Sequence, residues 1–207
     1  MKNTKNILLV SAPRSGSTYV SERLQELNDI NTNLFEEFSI ACNHFSTSYT
    51  QKAKYYDAFC KKWSSKKCIA KIKIPNDWMN GLGNAWLKIN LSIADVYYIS
   101  RNKIDHILDL ISASQEKSIA HDWEETHTNI VVSNVEQIIN YYKHLNNVDA
   151  VMSEMKKINI GHDITLEEIK SKDTNNTPKR MYNYINQLPQ YDHLDIREAV
   201  SLIINNA

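Results

Sequence analysis

The chain has 207 residues, a length suited to one domain, and its 42% hydrophobic and 23% charged content supports a buried core and excludes wholesale disorder. Lys plus Arg and Asp plus Glu number 24 each. That balance argues against a broad surface for nucleic acid or anionic membrane, while leaving room for a local basic pocket.

Residues 5–11 are a short apolar run closed by Ala12-Pro13, which predicts a buried strand of a parallel sheet. Ser17 and Thr18 offer N-cap chemistry for a helix from Tyr19 to Leu27, striped by Val20, Leu24 and Leu27. Further strands are expected at 68–74, stopped by Pro75, and at 95–100, the latter followed by a helix with Ile104, Ile107, Leu108 and Ile111 in period. A long helix is expected over 134–158, then a strand and turn between Ile158 and Ile169, a surface loop at 171–177, and short helices near 178–187 and 194–204. Strands alternating with helices predict an α/β fold, a mostly parallel central sheet flanked by helices in three layers, with 1–207 as a single domain.

The run Ile7-Leu8-Leu9-Val10 is too short for a secretory h-region, and no window approaches the ~18–20 apolar residues of a membrane span. Cys42, Cys60 and Cys68 are odd in number and lack CxxC spacing, so they read as reduced thiols. The expected location is cytoplasmic. The oligomeric state has no sequence signal.

The most informative segment is Ser11-Ala12-Pro13-Arg14-Ser15-Gly16-Ser17-Thr18. A strand turning sharply into a helix aims backbone N–H groups and the positive end of the helix dipole at one point, an anion site. Gly16 permits close backbone approach, and Ser15, Ser17 and Thr18 add hydroxyl donors. The ATP-binding pattern G-x-x-x-x-G-K-[ST] is not met: position 11 is serine, and serine instead of lysine follows Gly16. The cation here is Arg14. The bland alternative is a Ser-rich helix cap after a buried strand.

Ser11 to Tyr19 closely resembles the PRSGST turn of sulfotransferases that use 3′-phosphoadenosine 5′-phosphosulfate (PAPS), above all bacterial and carbohydrate-type members. The resemblance implies a P-loop-type three-layer fold, a turn (Ser15, Gly16, Ser17, Thr18) that holds the 5′-phosphosulfate, and Arg14 as stabiliser of charge on the leaving phosphate. Weaker likenesses follow in the family's order. Leu34 to Phe38 is similar to the segment carrying the acceptor-side base, with Glu37 in that role and Glu36 its competitor. Ile69 to Ile72 is similar to the following strand. Tyr98 to Asp105 resembles the element that binds the nucleotide 3′-phosphate, through Arg101. Ile164 to Ile169 resembles a later segment, and Thr177 and Lys179 the C-terminal loop over the nucleotide. The family's serine two helical turns after its arginine falls on Asp109, which leaves Ser112, one turn on, to make the contact. If it does not, either the donor lacks the 3′-phosphate or affinity has decayed.

Each residue also has a plainer reading. Glu36 and Glu37 could be solvated carboxylates, although the flanking Phe35 and Phe38 would raise a carboxyl pKa by desolvation and suit a base. Arg101, directly after a strand, suits a phosphate by bidentate bonding or an i,i+4 ion pair with Asp105. Lys71 in an apolar strand either reaches the strand end or meets an anion, the plainer account being a strand with one exposed edge. His121 and His127 flank Trp123 at no common metal spacing, and no metal is expected. Trp78, Trp86 and Trp123 are sugar-stacking candidates or core residues. The acceptor would be a small molecule or carbohydrate hydroxyl, and the transfer product is 3′-phosphoadenosine 5′-phosphate. The rival readings are a non-catalytic nucleotide-binding module of this fold, and a P-loop kinase.

Overall fold

The computed structural model describes residues 5–34, 49–74, 81–115, 127–172 and 181–207. The chain divides into two compact units, Met1–Ser100 with Asn147–Ile169, and Arg101–Asn146 with Lys170–Ala207.

In the first unit the strands are β1 (Ile7–Ser11), β2 (Thr32–Leu34), β3 (Cys68–Lys73), β4 (Asp95–Ser100) and β6 (His162–Thr165). They form one sheet in the order β2-β3-β1-β4-β6, and every pairing is parallel. Helices α1 (Ser17–Asn28), α2 (Tyr49–Ser65) and α3 (Gly81–Leu91) alternate with the strands. The fold is therefore α/β, with a parallel central sheet flanked by helices, as the alternation of patterns predicts.

β1 is central, and all five of its residues are buried, which is why it reads as an unbroken apolar run. Ile7 and Leu9 pack with Ile69, Ile99, Ile30, and Val20 and Leu24 of α1. Burying each such side chain is worth roughly 1.5–3 kcal/mol relative to exposure, so this cluster fixes α1 against the sheet. α1 stops where Asp29 turns left-handed at φ 51° and its N–H bonds the Gln25 carbonyl. Phe59 and Trp63 of α2 meet Trp86 of α3 edge to face, at centroid distances of 5.1 Å, and Trp63 Nε1 donates to Asn90 Oδ1 at 2.8 Å. Trp86 is thus a core residue and does not offer a sugar platform.

The edge strand β6 is entered through a tight connection. Tyr98 Oη donates to the Asn159 carbonyl at 2.8 Å, Asn159 Nδ2 donates to the Leu91 carbonyl at 2.6 Å, and the Gly161 N–H bonds Asn159 Oδ1 at 2.9 Å. Gly161 takes φ 55°, and a Cβ there would lie 2.6 Å from the Val96 carbonyl oxygen. Only glycine fits so close a backbone approach.

The second unit holds α4 (Lys103–Gln115), β5 (His127–Val132), β7 (Met181–Asn186) and α7 (Ile196–Asn205). α5 (Val135–Ile158) and α6 (Leu166–Lys172) each run from one unit into the other. β5 and β7 pair in parallel, and α4 packs on β5 and on α7. The helix expected near 178–187 is instead strand β7 where it is described. Tyr182, Tyr184 and Ile185 favour extended backbone, and the partner strand supplies the ladder. β5 itself, with its β-branched Ile-Val-Val, and helices α2 and α3 had no counterpart among the expected elements. The final helix is capped by Asp195, whose carboxylate accepts from the Arg197 N–H at 2.8 Å. Among the described residues, no helix is long and apolar enough to cross a membrane.

Candidate functional site

β1 ends at Ser11, and α1 begins at Ser17, so the predicted anion turn is built from five residues. Two of them take left-handed backbone: Arg14 at φ 63° and Gly16 at φ 81°. For arginine that conformation costs about 1–2 kcal/mol, and such strain persists where the surroundings impose it, often at functional sites. Gly16 is the N-cap, not Ser17 as its side chain suggested, and no side-chain bond caps the helix. The Gly16 carbonyl accepts the first helical bond, from the Val20 N–H at 3.1 Å. Leu166 packs over Gly16, close enough that an added Cβ would stand 2.6 Å from Leu166 Cδ1. The turn is held from the side by that leucine.

Arg14 is exposed and Ser15 is 1% exposed. The Ser15 hydroxyl is buried without a hydrogen-bond partner among the described residues, and so is that of Ser11 at the end of β1. Native structures leave few such groups unpaired, and each calls for an explanation. Ser17 and Thr18 open α1 and are half-buried.

Lys71 joins this set, though neither the turn motif nor the family likeness assigned it a place. It lies in β3, an interior strand between β2 and β1, in register with Leu9. The exposed-edge explanation is therefore excluded. Lys71 is 3% exposed, and its Nζ donates to Thr18 Oγ1 at 2.9 Å. A buried ammonium is expensive unless partners or an anion compensate it. The signal in the sequence was a cation inside an apolar strand. Only strand register shows that it faces the start of α1.

The first unit thus gathers one helix N-terminus, two left-handed residues of which Arg14 is strained, buried hydroxyls and the cations Arg14 and Lys71. Such an arrangement can hold a tetrahedral oxyanion and stabilise negative charge that develops on it.

In the second unit, Arg101 opens the chain segment after β4. Its guanidinium pairs with the Asp109 carboxylate, and neither side chain is more than a quarter exposed. Tyr184 Oη of β7 donates to the other Asp109 oxygen at 3.2 Å. Burial, and then the Asp109 charge and hydrogen bond, push the Tyr184 phenol well above its ordinary range, so it stays a donor. Asp105, the alternative partner of Arg101, instead meets Arg197 Nη1 at 2.5 Å. Asp109 therefore faces Arg101 and does not turn away. Ser112 is fully buried, and its hydroxyl donates back to the Asp109 carbonyl at 2.8 Å.

Glu36, Glu37, Thr177, Lys179, His121, Trp78 and Trp123 lie outside the described residues. Among the described residues, no group of three or more His, Cys, Asp or Glu side chains is placed to hold a metal ion. Compared with known proteins, the chain matches no family model and no curated protein.

Proposed function

We propose that the protein is a PAPS-dependent sulfotransferase of the cytoplasm, acting on the hydroxyl of a carbohydrate or other small molecule. The observation that carries this reading is the turn at the start of α1, where a strained Arg14 and a left-handed Gly16 flank a buried Ser15 hydroxyl with no hydrogen-bond partner among the described residues. The likeness of Ser11 to Tyr19 to the PRSGST turn supplies the chemical identity of the anion.

On this reading Ser15, Gly16, Ser17 and Thr18 hold the 5′-phosphosulfate of the donor. Glu37 takes the proton of the acceptor hydroxyl as that oxygen bonds to sulfur. Arg14 stabilises the charge left on the phosphate oxygen as its bond to sulfur breaks. Lys71, behind Thr18, adds a fixed positive charge to the same cradle. The resemblance also gives Arg101, Thr177 and Lys179 to the nucleotide, whereas Ser112, the stand-in for the family's serine, donates to the Asp109 carbonyl instead.

The Arg101–Asp109 pair favours a second reading. A carboxylate already engaging the arginine opposes a dianionic phosphate there, by ~1 kcal/mol if hydrated and several if desolvated. The donor would then be adenosine 5′-phosphosulfate, or the chain a nucleotide-binding module without turnover. Calorimetry with 3′-phosphoadenosine 5′-phosphate, adenosine 5′-phosphosulfate and ATP–magnesium separates these. The main reading expects the first to bind with or without magnesium. Binding of adenosine 5′-phosphosulfate alone selects the second reading, and binding of ATP–magnesium alone replaces both with a kinase.

A further inference from the structure

We propose that Ser11 is a further ligand-contacting residue of the turn, its hydroxyl donating together with that of Ser15 to one tetrahedral oxyanion at the N-terminus of α1. This rests on the nucleotide reading above and adds a residue that the turn motif does not include.

Ser11 is the last residue of β1, in register with Lys73 of β3 and Ile99 of β4. Ile7, Leu9 and Ile99 all pack with Val20 and Leu24 of α1. Strand alternation puts Ser11 on that same face, at the end where α1 begins. There its side chain is 0% exposed, and Ser15 across the turn is 1% exposed. Neither hydroxyl has a hydrogen-bond partner among the described residues.

An unmade hydrogen bond in the interior opposes folding, and alanine at either position would remove that penalty with almost no loss of packing. Two such hydroxyls at one turn, beside a strained backbone and two cations, mark a site whose partner is a ligand. The segment from Ser11 to Thr18 contains no carboxylate to repel an anion. The stored cost is recovered when the anion arrives, so binding and stability are coupled through these two serines.

The test compares the wild-type chain with Ser11→Ala, titrating 3′-phosphoadenosine 5′-phosphate and inorganic sulfate while following the melting temperature. Ser11→Ala is expected to raise the ligand-free melting temperature, on the order of 2–4 °C. It should also weaken both ligands about tenfold, the loss of one hydrogen bond to a charged group. Wild-type affinity in Ser11→Ala overturns the inference, because the hydroxyl then holds a water or nothing, and the nucleotide reading survives. A wild-type chain that binds neither ligand overturns both. Should Ser11→Ala not fold, Ser11→Cys keeps the volume with a weaker donor and carries the same comparison.

Discussion

Gly16 and Arg14 share a left-handed backbone but reach it differently. Glycine adopts φ 81° without strain, whereas Arg14 at φ 63° is held there by the turn. Gly16→Ala would bring a Cβ against the tip of Leu166, which can shift, and would leave the backbone strained. It is expected to destabilise the first unit by about 1–2 kcal/mol, read as a lower denaturant midpoint. An unchanged midpoint would mean that the turn relaxes without Gly16. At this scale the turn was legible, because its residue types are themselves the chemistry. The conformation of Arg14 was not, since arginine carries no left-handed preference. Nor was the Asp109–Arg101 pair, because the arginine precedes α4 and the two meet only through the bend into that helix.

The elements of the first unit were legible where burial dictates composition. β1 is an apolar run because a central parallel strand is covered on both faces, and β3 and β4 keep apolar residues at their buried positions, Lys71 excepted. β7 was misread because its pairing comes from far along the chain. The Asn183–Asn129 side-chain bond at 3.0 Å joins residues 54 apart. The connection into β6 yields a pH prediction. Burial, and then the Asp163 charge, push the Tyr98 phenol from its ordinary 10 up to about 12. The folded state thus holds this proton more tightly than the unfolded chain does. That contribution is fully present below about pH 10 and is lost as the pH rises through about 12. Alkaline unfolding followed by circular dichroism should therefore be less steep in Tyr98→Phe over that window. Identical profiles would assign the alkaline loss to other groups.

Over the whole molecule, a formal net charge of zero conceals the local placing of Arg14 and Lys71 by the start of α1, so bulk composition alone could not reveal that clustering. The parallel α/β sheet follows from pattern, whereas the catalytic assignment rests on Arg14 at that helix start. The most direct measurement is transfer of radiolabelled sulfate from PAPS across a panel of carbohydrate and small-molecule acceptors, for the wild-type chain and Arg14→Ala. The wild type should label at least one acceptor. Arg14→Ala, an exposed change that leaves the fold intact, should lose ~10²–10³ in rate, as does removal of one preorganised charge-stabilising donor. A folded Arg14→Ala protein that transfers sulfate at the wild-type rate, or a wild type that binds the nucleotide and labels nothing, would contradict the assignment.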